Sequence, residues 1–183
     1  MMDHHSRRDL FRLTAGALAV TPLGSLRAAN ADLKFFTPEE FLLADELAEM
    51  IIPTDSYSPG ARAAGVMPYI DRRLAEARED EARDRWRNGL KLIDAYSVTV
   101  NGANFLKTTA DQRTALLTQL VKNEFAPKTP EEEFFRHLKA ETAAIYYTSK
   151  IGIHQDIHYK GNVMLDEFVG YDAGLVQVKG TGK

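Results

Sequence analysis

His154 and His158 stand four residues apart, a spacing that would put two imidazoles on one helix face and let them share a metal ion. Gly152 precedes them, Gly161 follows, and no third ligand stands out, so metal binding is not expected. Asp55 and Asp71 are carboxylates of the kind used in acid–base catalysis, but nothing in the sequence sets a partner beside either. His137, among Phe135, Leu138 and Lys139, is expected to be structural or exposed. Glu131, Glu132 and Glu133 suit the positive end of a helix, which is a stabilising role. Trp86, inside a charged stretch, is either a core anchor or an interface hot spot, and core is the expectation. There is no G-x-G-x-x-G after a strand, no P-loop, no G-x-S-x-G elbow and no H-E-x-x-H. Cysteine is absent, which excludes disulfides, thiolate nucleophiles, cysteine-ligated clusters and covalently attached c-type haem in this chain. No catalytic, cofactor-binding or metal-ligating residue is therefore assigned.

The chemistry that does stand out is an address. Arg7 and Arg8 are followed by Leu10 and Phe11, then by the apolar run Leu13 to Val20. This order reads as a twin-arginine export signal, recognised by a translocase that carries folded cargo. The run is too short for a membrane span, which needs about 20 apolar residues. Ala29 and Ala31 flank Asn30 as a small-x-small cleavage site. Residues 1–31 are thus expected to be a signal peptide, cleaved or kept as an anchor. The remaining 152 residues amount to about one domain. The leader carries Arg7, Arg8, Arg12 and Arg27 against Asp3 and Asp9, so of the chain's net −3 the remainder bears −5. That mild acidity argues against nucleic acid as a partner.

The elements that must position everything else are helices. Thr37-Pro38-Glu39-Glu40 is a capping box with proline at the first helical position, and Phe36 and Phe41 are set for a hydrophobic staple. Phe41, Ala44, Leu47, Ala48 and Ile51 mark one helical face, which Pro53 ends. Residues 54–60 form a turn-rich loop, and a second helix is expected near Pro68. Residues 78–87 read as a solvated helix face with i,i+4 ion pairs, continuing through Leu90, Ile93 and Tyr96 to a turn at Asn101-Gly102. Thr109 and Gln112 form a second capping box before Leu116, Leu117, Leu120 and Val121. Thr129-Pro130-Glu131-Glu132 repeats the first helix start letter for letter, and leads into Phe134, Phe135, Leu138, Ile145 and Tyr146.

From Ser149 the pattern changes. Glycines interrupt the chain every few residues, with Ile151, Ile153, Ile157, Tyr159, Val163, Met164, Leu165, Phe168 and Tyr171 between them. The stretch is too apolar for disorder and too interrupted for a long helix. It needs a surface to lie on, either this domain's own helices or another chain.

Four stretches together resemble the gluconate 2-dehydrogenase subunit 3 family. They are Ser6 to Phe11, Phe36 to Glu40, Ile51-Ile52-Pro53-Thr54-Asp55 with Pro59 to Val66, and Tyr146 to Ile153 with Tyr159 to Asn162. Where the family's tail pattern reads Phe-Pro-Gly-Cys, this chain has Phe168-Val169-Gly170-Tyr171, so no role of that cysteine carries over. The resemblance implies a helical, non-catalytic small subunit with no cofactor of its own. The implied partner is a large FAD-binding dehydrogenase subunit of the glucose–methanol–choline type, often accompanied by a c-type cytochrome carrying haem c. It further implies that the flavoprotein is folded in the cytoplasm and exported to the periplasm attached to the small subunit.

The expectation is therefore a mostly α fold: a helical domain over 32–148 with about four to six helices, and an irregular, partner-facing tail over 149–183. Tyr147, Ile151, Ile153, Tyr159 and Phe168 are the candidate partner-binding residues. The rival readings are a small autonomous enzyme using Asp55, Asp71 or the tail histidines, and a periplasmic binding or scaffold protein.

Overall fold

The computed structural model describes residues 33–159 and 161. Among these the chain is mostly helical and contains no strand. The helices are α1 (Pro38–Ile51), α2 (Val66–Glu76), α3 (Asp80–Asn101), α4 (Ala110–Val121) and α5 (Pro130–Thr148). A 3-10 turn, Phe105–Lys107, links α3 to α4, and a π-helical turn, Gly152–Asp156, follows α5.

The helix starts follow from local chemistry. Thr37 Oγ1 accepts from the Glu40 N–H and the Glu40 carboxylate accepts from the Thr37 N–H, a complete capping box. Thr109 and Gln112 repeat the arrangement at α4. Thr129 and Glu132, the same letters as at α1, behave differently. Thr129 caps, but the Glu132 carboxylate turns outward to the Lys128 N–H and the Asn123 side chain, both at 2.7 Å. It secures the incoming loop rather than closing a box. These hydrogen bonds, from Lys128 first and then Asn123, hold the Glu132 carboxyl below the usual range.

The ends are equally local. α1 stops before Pro53, and Gly102 closes α3 at φ 73°. The helix expected to start near Pro68 begins at Val66. Gly65, at φ 72°, makes the turn that launches the helix two residues earlier. Pro68 then falls in the first turn, where backbone N–H groups have no helical acceptor and its missing donor costs little.

α5 packs on α1, α2, α3 and α4 and forms the centre of the bundle. It packs tightly on α3 at Gly89, where an added Cβ would lie 2.0 Å from the Phe134 ring. Trp86 is buried beside that contact, with ring centroids 5.7 Å from both Phe36 and Phe134. It is a core anchor. The remaining core includes Leu47, Met67, Ile70, Ile93, Leu116 and Leu138. Phe41, Ala44, Leu47 and Ala48 of the expected α1 face are buried, whereas Ile51 is only partly so.

Candidate functional site

The two candidate acid–base carboxylates are committed to backbone. Asp71, on α2 and only 2 % exposed, accepts from three successive N–H groups: Lys34 at 2.7 Å, Phe35 at 3.0 Å and Phe36 at 2.8 Å. Asp55 folds a turn, its Oδ1 accepting from the Tyr57 and Ser58 N–H groups at 2.7 and 2.9 Å. The structure does not bring the two together in one hydrogen-bond network; each serves its own segment.

Glu141 on α5 is the other polar centre. It accepts from Trp86 Nε1 at 3.1 Å and from the Arg73 guanidinium at 2.7 Å, and His137 Nε2 lies 3.6 Å away. Burial lowers the His137 pKa, with Arg85 and Arg73 acting the same way, and Glu141 opposes the shift. The tail histidines are exposed, His154 in the π-helical turn and His158 at φ 56°. Among the described residues no three His, Cys, Asp or Glu side chains gather as a metal site. No helix among them is long and apolar enough to cross a membrane.

Two open grooves mark the described surface. One, of about 300 Å³, runs past Phe35, Arg83 and Arg87; the other, of about 600 Å³, lies over Gly89, Leu92, Phe134 and His137. Asp55, Asp71, His154 and His158 line neither.

The most heavily constructed surface is the end of the bundle formed by residues 52–62 and the C-terminus of α5. Glu49 reaches from α1 into the loop. One carboxylate oxygen accepts from the Thr54 N–H and hydroxyl, and the other from the Arg62 N–H at 2.8 Å. Thr54 Oγ1 in turn accepts from the Gly60 N–H at 2.8 Å. The loop folds back so closely on its own start that a Cβ on Gly60 would meet Thr54 N at 2.5 Å and Ile52 O at 2.7 Å, so only glycine fits. The Arg62 guanidinium then pairs with Asp45 and with Glu46, and Glu46 also holds Arg113 at 2.7 Å. Burial raises the Asp45 pKa, against the pull of Arg62. From the other side the buried Tyr146 hydroxyl donates to the Pro59 carbonyl at 2.7 Å and lies 3.1 Å from Ser58 Oγ.

The chain leaves α5 at the same place. Ser149 Oγ donates to the Tyr146 carbonyl and accepts from the Gly152 N–H, which starts the π-helical turn. A Cβ on Gly152 would lie 2.1 Å from the Tyr146 carbonyl oxygen. The first turn of the expected irregular stretch is therefore helical, capped by a serine. Of the candidate partner-binding residues, Ile151 packs partly against this chain's own core and Ile153 is half-buried. Tyr147 and Tyr159 are 44 % and 48 % exposed. Phe168 lies outside the described residues, as do Arg7, Arg8, Leu10, Phe11, Ala29 and Ala31.

Sequence reasoning missed Tyr57. It sits at the tip of the braced loop and is 87 % exposed. Its signal was the loop itself, whose Asp, Ser, Thr, Pro and Gly content marks a built turn rather than a flexible one. A large aromatic held out on an ordered support loses little entropy on contact and is a strong interface anchor.

A family model described as gluconate 2-dehydrogenase subunit 3 matches residues 38–164. No curated protein and no solved structure matches the chain.

Proposed function

Because this chain belongs to the gluconate 2-dehydrogenase subunit 3 family, and so among the subunits of a dehydrogenase complex, we propose that it is the non-catalytic small subunit of a periplasmic FAD-dependent sugar or polyol dehydrogenase. It folds with the catalytic flavoprotein, stabilises it and carries the twin-arginine address for both. FAD resides in the large subunit, and a c-type cytochrome bearing haem c serves as a third subunit and electron outlet. The complex acts at the periplasmic face of the membrane. The observation that carries this reading is the family match itself, which spans all five α-helices and the π-helical turn. The braced end of the bundle supports it. The Tyr146 hydroxyl holds the loop that carries the exposed Tyr57, and the tail starts just beyond Tyr146 with the exposed Tyr147, aromatic side chains of a kind suited to a partner. Binding to the partner should stabilise both chains by mass action.

The test is fractionation of cells in which Arg7 and Arg8 are both replaced by lysine. Charge is kept, but translocase recognition should be lost. Both this chain and its flavoprotein are then expected in the cytoplasm. A flavoprotein that still reached the periplasm would overturn the escort role.

A further inference from the structure

The two surface grooves differ in how their arginines are used. At the smaller one, Arg83 donates to the Leu74 and Ala77 carbonyls and Arg87 to the Phe35 carbonyl, so both guanidiniums are committed to this chain's own backbone. The larger one, of about 600 Å³, follows the seam of α3 and α5 and is lined more by apolar than by polar surface. Gly89 leaves room there for the Phe134 ring, and Leu92 and Ala140 extend the apolar lining. Arg136 belongs to the same lining. It is exposed and makes no hydrogen bond or ion pair among the described residues. Arg85, on α3, pairs with Glu81, yet its side chain is still 48 % exposed. Glu133 is the one carboxylate that lines the groove. Two guanidiniums thus face one carboxylate, on a chain whose net charge is −3.

The α5 side of the groove runs from Pro130 to Ala140, about 15 Å of helix. An open trough of that length suits a short stretch of polypeptide laid between two helices, whereas a small molecule would be left largely in water. Its apolar lining and unpaired guanidinium select a stretch that carries a carboxylate among apolar side chains. We propose that the groove receives such a stretch of the catalytic subunit, with the carboxylate paired to Arg136. The walls are regular helices, so docking orders little on this side. Joined to the contact expected at Tyr57 and the root of the tail, it gives one domain two points of attachment, and the first to form makes the second effectively intramolecular. The inference rests on the small-subunit reading above.

The experiment places the photoreactive amino acid p-benzoylphenylalanine in the full tagged chain, expressed in its own host, at Ala140 or, separately, at Asn88. Both positions are exposed and line the groove from opposite helices, so the second keeps the test decisive if bulk at the first blocks docking. After irradiation, the mass and peptides of each adduct identify what occupies the groove. Adducts joining this chain to the flavoprotein are expected, with Arg136→Glu lowering their yield about tenfold at low salt. A yield that ignores Arg136→Glu would overturn the pairing with a carboxylate. Adducts within this chain alone or with a second copy of it, or none at either position while the flavoprotein still co-purifies, would overturn the groove's occupant and leave the small-subunit reading intact. If no flavoprotein co-purifies with the wild-type chain, that reading fails and the inference falls with it.

Discussion

The Tyr146 hydroxyl donates to the Pro59 carbonyl at 2.7 Å, across 87 positions of sequence. This bond ties the end of the central helix to the loop that presents Tyr57, and it places that loop beside the root of the tail. Replacing Tyr146 with Phe keeps the ring and leaves the Pro59 carbonyl without its donor. The expected cost is about 1–3 kcal/mol in denaturant unfolding, the range for stranding a buried polar group. Capture of the flavoprotein should weaken as well, because the loop loses its brace. An unchanged unfolding midpoint would show that the bond does not hold the loop.

Gly89→Ala tests the seam between α3 and α5. The new methyl would fall 2.0 Å from the Phe134 ring, so the helices must separate or the ring must move. Overpacking of this kind costs about 1–3 kcal/mol. Thermal unfolding should report a lowered midpoint, and Gly89→Ala combined with Phe134→Leu should recover part of it. No recovery would mean that the contact is not what limits the fit.

His137 should make the fold sensitive to acid. Burial lowers its folded-state pKa, so between the unfolded value of about 6.5 and the folded value the unfolded chain binds more protons. Stability is therefore present above the unfolded pKa and falls as pH drops through this window. Urea midpoints measured from about pH 7.5 to about pH 5.5 should fall more steeply for wild type than for His137→Gln. Equal slopes would remove His137 as the source.

The tail can be divided after the residues that pack on the helical domain. Ile151 and the Ser149–Gly152 turn belong to the domain, so a chain ending at Thr148 loses core contacts. A chain ending at Gly161 keeps them. Ending at Gly161 is expected to leave helical circular dichroism and cooperative melting intact while abolishing flavoprotein capture. If that truncated chain melts early or aggregates, the apolar residues beyond it, Phe168 among them, chiefly complete this domain's own core.

What was legible in the sequence was what neighbouring residues decide. Thr37 with Glu40, Thr109 with Gln112, Pro53 and Gly102 act within one helical turn, so their types and spacing reveal them. Glu132 shows the limit: its letters match Glu40, but Asn123 and the Lys128 N–H compete for the carboxylate. Asp71, Glu141 and Glu49 were not legible in their roles. Asp71 and Glu141 have partners 35 to 68 positions away, and Glu49 closes a loop whose path depends on the glycine at position 60. Asp55 and Asp71 look alike as isolated carboxylates, and only tertiary structure shows one making a surface turn and the other anchoring the domain's first residues. Tyr57 was passed over because the composition of its loop marks a turn, whereas the long-range bond from Tyr146 that braces the loop is written in no local pattern.

The central claim is that this chain serves a flavoprotein and does no redox chemistry alone. The most direct measurement is to tag the full chain at its C-terminus, isolate it from its own host under native conditions, and record protein composition, visible absorbance and dehydrogenase activity together. The account expects a larger polypeptide at fixed stoichiometry, flavin absorbance, and activity on a sugar, sugar acid or polyol that disappears when the tagged chain is stripped of its partner. A tagged chain that is isolated alone and still oxidises such a substrate, or that carries flavin by itself, would contradict it.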